Sequence, residues 1–187
     1  MVSLGKGQLG AASLAASPDG KYLAFERLDQ AGKMGLYVVD LRSDRVPRPF
    51  LASTANGAAP AFSPDGKWLA YDSSQSDRNE VYITPFPDGG AQYQVSTNRG
   101  ERPAWSHTGK EMFYRENLRL MSVHVNTAGR TVELGSPLPM FEVAARNLSG
   151  RWYAVSPDGR FLRNTTPASA QTQRFELVVS WQAEVNK

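Results

Sequence analysis

The chain is 187 residues long, 41% apolar and 21% charged, a composition that reads as a folded globular unit and not as a disordered chain. Its 21 basic and 18 acidic residues leave a formal charge of +3. The basic residues are scattered, with no run or stripe that could track a phosphate backbone, so nucleic acid is not an expected partner.

Cysteine is absent, which removes disulfides, zinc-thiolate sites and thiol nucleophiles and leaves the redox compartment open. No apolar stretch approaches the roughly 20 residues of a membrane span, so direct insertion into a bilayer is not expected. Residues 1–12 read as an N-terminal segment, and Met1-Val-Ser-Leu-Gly-Lys-Gly lacks the apolar core of a secretory signal.

In chain order, a short strand at Ser13-Leu-Ala-Ala leads into the turn Ser17-Pro-Asp-Gly-Lys21 and a second strand, Tyr22-Leu-Ala-Phe25. After the polar loop Leu28 to Lys33 come a third strand, Gly35-Leu-Tyr-Val-Val-Asp-Leu41, and a fourth, Arg48-Pro-Phe-Leu51. The pattern then repeats. Ala59-Pro-Ala-Phe62, the turn Ser63-Pro-Asp-Gly-Lys67, Trp68-Leu-Ala-Tyr71, Glu80-Val-Tyr-Ile-Thr84 and Gln92-Tyr-Gln-Val95 form the second unit. The third holds Arg102-Pro-Ala-Trp105, the turn Ser106-His-Thr-Gly-Lys110, Glu111-Met-Phe-Tyr114, Arg119 to Val125 and Leu138-Pro-Met-Phe141. The fourth holds Trp152-Tyr-Ala-Val155, Ser156-Pro-Asp-Gly-Arg160, Phe161-Leu and Arg174 to Trp181, with no clear final strand.

The turn serines step by 46, 43 and 50 residues, a spacing that belongs to architectures built by stacking one supersecondary unit. The turns have hairpin chemistry: proline presets φ, aspartate bonds its own backbone and glycine supplies the positive φ that closes the turn, and the third departs from this with His107-Thr108 where Pro-Asp is expected. Four antiparallel strands per unit of about 45 residues, with no convincing amphipathic helix, describe an all-β protein of propeller blades. The blades are placed at about 13–52, 56–97, 98–142 and 143–185.

The motif Ser-Pro-Asp-Gly-Lys-x-Leu-Ala-Phe/Tyr, followed by a strand such as Leu36-Tyr-Val-Val-Asp-Leu41, resembles the repeat of TolB-like β-propellers over residues 13–185. The second half resembles the C-terminal propeller found in bacterial multidomain proteins behind a serine/threonine kinase domain or a winged-helix regulator. Arg99-Gly-Glu-Arg-Pro-Ala-Trp-Ser106, Gly135-Ser-Pro-Leu-Pro-Met-Phe141 and Leu177-Val-Val-Ser-Trp181 carry that likeness. It implies a binding or sensing module that is periplasmic or otherwise extracytoplasmic, with the cytoplasm also open. A periplasmic TolB-type scaffold and the gating propeller of a prolyl-oligopeptidase-like peptidase are the rival readings. The resemblance leads one to expect six or more blades, so four imply a piece of a larger propeller. Missing blades, the N-terminal segment or self-association would then cover its open terminal faces.

The residues do not read as an enzyme's. No Gly-x-Ser-x-Gly elbow, kinase motif or phosphate loop is present, and no catalytic residue is assigned. His107 reads as a polar turn residue and His124 as an exposed or interblade strand residue, so neither metal nor cofactor is expected. Asp19, Asp65 and Asp158 each serve their own hairpin. Binding is expected on the loops that enter each blade and those between its second and third strands, which gather at the channel mouth. Arg99, Arg102, Arg146 and Arg151 lie there. They suit a small anionic ligand or an acidic protein surface; alternatively they solubilise the loops or pair with Glu101 and Glu142.

Overall fold

The computed structural model describes residues 13–28, 34–51, 58–128, 131–143, 153–165 and 174–178. They form four antiparallel sheets in chain order, the arrangement of successive propeller blades. The first holds β1 (Leu14–Ala16), β2 (Tyr22–Leu28), β3 (Met34–Asp40) and β4 (Arg48–Pro49). The second holds β5 (Ala58–Phe62), β6 (Trp68–Ser73), β7 (Glu80–Pro85) and β8 (Tyr93–Gln94). The third holds β9 (Gly100–Trp105), β10 (Glu111–Glu116), β11 (Arg119–Asn126), β12 (Glu133–Leu134) and β13 (Leu138–Glu142). β14 (Tyr153–Val155), β15 (Phe161–Thr165) and β16 (Arg174–Val178) make the fourth.

The third blade has an outer edge in two pieces where the sequence suggested one strand. β12 pairs with the far end of β11 through Val125 and Leu134, and β13 pairs with its near end through Arg119 and Glu142. Gly135-Ser-Pro137 separates them: the Gly135 amide donates to the His124 carbonyl at 2.9 Å, and Pro137 and Pro139 have no N–H with which to continue a ladder.

The hairpin turns follow one scheme. Ser17 Oγ donates to Asp19 Oδ1 at 2.6 Å, Asp19 Oδ1 accepts the Lys21 amide at 3.1 Å, and Ser17 Oγ accepts the Tyr22 amide at 2.9 Å. Ser63, Asp65, Lys67 and Trp68 repeat these contacts at 2.6, 3.1 and 3.0 Å. The closing glycines Gly20, Gly66, Gly109 and Gly159 have φ between 69° and 80°, a region costly for a residue with a Cβ. These hydrogen bonds, with those from Lys21, hold the Asp19 carboxyl well below the usual range. Ser156 and Arg160 hold Asp158 down at about 2.

Apolar cores lie between blades. Ala24 and Leu36 of blade 1 meet Leu69, Tyr71, Tyr82 and Phe86 of blade 2. Ala70, Val81 and Ile83 of blade 2 meet Trp105, Met112, Tyr114 and Val123 of blade 3. Ala104, Phe113, Leu120 and Met140 of blade 3 meet Tyr153 and Phe161 of blade 4. The alternation of strand side chains explains the division: Leu69 and Tyr71 face back, and Ala70 between them faces forward. Edge-to-face rings at 4.9 Å, Phe62 on Phe86 and Phe113 on Phe161, add about 0.5–1.5 kcal/mol each to the area they bury.

Candidate binding face at the channel mouth

The inner strands β1, β5, β9 and β14 lie side by side. β5 and β9 both begin with a bulge. Ala58 pairs with Asp72 and Ala61 with Ala70, so three steps on β5 oppose two on β6. On β9 and β10, Glu101 pairs with Arg115 and Ala104 with Phe113. Inside these bulges Ala59 and Arg102 take φ of 49° and 55°, and Arg99, just before β9, takes 68°. Such left-handed non-glycine residues cost about 1–2 kcal/mol each.

Buried carboxylates of the preceding blade hold those backbones in place. Glu26 Oε1 accepts the Ala59 amide at 2.8 Å and also the Ser13 hydroxyl. Asp72 Oδ2 accepts the Arg102 amide at 2.7 Å. Glu80, 0% exposed, accepts the Arg99 amide at 3.1 Å, the Gly100 amide at 3.3 Å and the Ser96 hydroxyl. Arg78 Nε sits 3.2 Å from Glu80 Oε1 and offsets its charge. Glycine is required at position 100, because a Cβ there would collide with the Ser96 side chain. A buried carboxylate that accepts backbone N–H groups is the strong kind of hydrogen bond, and losing it would orphan a buried donor.

Asp72 is 4% exposed. Burial pushes its carboxyl up to about 6, the charges of Glu101 and Glu26 add to the rise, and the Arg102 amide and guanidinium oppose it. Deeper between the blades the Tyr71 and Tyr114 hydroxyls are buried without a hydrogen-bond partner among the described residues, and burial raises the pKa of both.

The structure places Arg99 and Arg102 together at the start of β9, Arg99 exposed and Arg102 half-buried. Arg146 and Arg151 lie outside the described residues. Glu101, weighed above as a partner for the arginines, pairs instead with Arg115, and Glu142 lies 3.9 Å from Arg119. Among the described residues, no ion pair within 4 Å includes the Arg99 or Arg102 guanidinium. The loop between β6 and β7 and the approach to β9 share this end of the blades, where Asn98 Nδ2 donates to Glu116 Oε1 at 3.0 Å.

Sequence reasoning passed over Glu26, Asp72 and Glu80, although a signal was present. In Phe25-Glu26 and Tyr71-Asp72 one acidic residue directly follows the aromatic residue of the Leu-Ala-Phe/Tyr motif in two successive repeats. His107 and His124 are exposed, on the third hairpin and on β11. Among the described residues no three histidine, aspartate or glutamate side chains converge as a cation cage.

No curated protein matches the chain. Among solved structures it is similar to a protein assigned as TolB from Agrobacterium tumefaciens, at 20% identity and TM-score 0.69, over 96% of this chain and 65% of that one. It is similar to TolB from Acinetobacter baumannii at 17% identity and TM-score 0.61, over 88% of this chain and 40% of that one. A protein assigned as a 6-phosphogluconolactonase from Bacteroides uniformis shares the fold at 17% identity and TM-score 0.51, over 89% of this chain and 54% of that one. The chain thus spans less than two thirds of each of these structures, and at such identities the likeness establishes the fold alone. The model of the TolB beta propeller domain matches residues 2–136, well over half the sequence, and the chain belongs to that family.

Proposed function

We propose that this chain is a non-enzymatic binding module of a larger bacterial protein, and that its contact surface is the loop face at the channel mouth, centred on Arg99 and Arg102. One observation carries the reading. Both arginines have their backbones pinned by buried carboxylates in a conformation that arginine does not favour, while their guanidinium groups are left out of any ion pair among the described residues. Side chains presented at a rim and outside any ion pair within 4 Å among the described residues suit an anionic ligand or an acidic protein surface. Family membership supports a propeller scaffold of this kind.

The finer reading is a sensing propeller outside the cytoplasm, carried behind a kinase or regulator domain, and the likeness of residues 99–181 to such C-terminal propellers supports it. The TolB-type scaffold is the second reading, supported by the family match over residues 2–136.

Titration of the chain with a fluorescein-labelled oligoglutamate peptide tests the binding face. Arg99→Asn with Arg102→Asn removes both charges and keeps residues that tolerate positive φ. The expected result is a loss of affinity of about tenfold or more, the size of one or two charge-assisted contacts. Unchanged affinity would move the binding face elsewhere.

A further inference from the structure

The third hairpin is the odd one. In the other three turns an aspartate accepts the serine hydroxyl, and in the first and last it also neutralises the basic side chain two positions on. Asp19 Oδ2 lies 3.0 Å from Lys21 Nζ, and Asp158 Oδ2 lies 2.7 Å from Arg160 Nε. Thr108 stands at this position in blade 3. Its Oγ1 keeps the turn, 3.1 Å from Ser106 Oγ and 3.4 Å from the Lys110 amide, but it brings no charge. Among the described residues Lys110 therefore has no carboxylate within 4 Å.

Lys110 also faces a concavity. A cleft of about 440 Å³ runs between the turns of blades 2 and 3, with Lys67 on one wall, Thr108 and Lys110 on the other, and Val125, Asn126 and Thr127 as its base. Among the described residues the Lys67 ammonium is likewise in no ion pair within 4 Å; Asp65, whose Oδ1 takes the Lys67 amide and the Ser63 hydroxyl, also lines the cleft. Two exposed ammonium groups thus share the cleft with one carboxylate, a local excess of positive charge. One N–H of the Asn126 amide goes to Glu133 at 2.9 Å, and the Thr108 and Thr127 hydroxyls line the cleft as neutral donors. The two turns approach closely: Pro64 and Gly109 both line the cleft, and a Cβ added at Gly109 would lie 3.5 Å from Pro64 Cδ.

We propose that this cleft is a second binding site, on the end of the blades opposite the arginine rim, for a small phosphate-bearing molecule held between Lys67 and Lys110 with hydroxyl donors from Thr108 and Thr127. The volume is that of a small-metabolite pocket. A phosphate monoester carries between one and two negative charges near neutral pH and matches two flanking cations.

The test is a titration of the isotope-labelled chain with inorganic phosphate and with glucose 6-phosphate at constant ionic strength, read from backbone amide shifts. Saturable shifts centred on Gly109, Lys110 and Thr127 are expected. Thr108→Asp installs the residue that the other three turns carry, restores a counterion for Lys110 and should weaken binding about tenfold. Lys110→Gln should do the same and carries the test if the first variant fails to fold, while Arg48→Gln, at an exposed residue of blade 1 outside both sites, should leave the shifts of Gly109, Lys110 and Thr127 unchanged. Linear shifts without saturation, saturable shifts confined to Arg99 and Arg102 with none at the cleft, or wild-type binding by folded Thr108→Asp or Lys110→Gln would each overturn the proposal.

Discussion

The joint between blades 2 and 3 and the joint between blades 3 and 4 close the same kind of gap by different chemistry. At the first, Asp72 at the end of β6 accepts the Arg102 amide of the next inner strand, and the Trp105 indole N–H donates to the Ala61 carbonyl at 3.1 Å. At the second, the residue matching Asp72 is Arg115, which turns to Glu101 of its own blade. The link to blade 4 is the Tyr153 hydroxyl, 2.8 Å from the Arg102 carbonyl and 3.0 Å from the Phe113 carbonyl, sharing its proton between them. The Asp72 latch, its carboxyl pushed up to about 6 by burial, changes charge near neutral pH, whereas the Tyr153 latch acts as a neutral hydroxyl donor. Two joints that look alike in backbone topology should therefore respond differently to pH.

The largest effect that would break this comparison lies in the apolar part of the second joint. Phe161 is fully buried against Phe113 and Phe141, so Phe161→Ala should cost about 3–5 kcal/mol in chemical denaturation and detach blade 4. Next comes the latch itself. An unfolded aspartate titrates near 3.9 and folded Asp72 at about 6, so the folded state holds the proton more tightly. Its contribution is full below pH 4 and is lost as the pH rises through 6. Stability should thus rise on going from pH 7.5 to pH 5, against the usual trend.

Asp72→Asn keeps an acceptor for the Arg102 amide and should flatten that slope, with a gain of about 2 kcal/mol at pH 7.5. Denaturation midpoints at the two pH values check both statements. A wild-type protein that weakens on acidification across this window would contradict them. Tyr153→Phe should cost about 1 kcal/mol and leave the pH slope as it was, which sharpens the contrast between the joints. The smallest effect belongs to the joint between blades 1 and 2, where Glu26 holds the Ala59 amide: Ala59→Gly relieves a left-handed alanine and should add up to about 1 kcal/mol in the same assay.

The blades were legible in the sequence because their turns are local. Ser17 and Asp19 meet across two residues, so the hairpin chemistry can be read from five consecutive letters. The latches were not legible, because Glu26 reaches Ala59 across 33 residues and Asp72 reaches Arg102 across 30. An acid at the end of a strand reads as the start of a solvated loop, and nothing local marks an arginine for positive φ. That Arg99 and Arg102 stand at the entry to the third blade followed from the repeat frame, while the reason for their backbone posture lay on a neighbouring blade. The exchange of Asp72 for Arg115 acquires meaning only once the carboxylate's partner is known. Thr108 was visible as a departure from the repeat, but the unpaired ammonium it creates appears only when the other turns show where their aspartates spend their charge.

Each apolar core described above joins only blades adjacent in the chain, which gives the molecule the cooperativity of links in series. Its unfolding should then proceed as partial opening at whichever link is weakest under the prevailing conditions. Acidity is one control that acts on one link at a time.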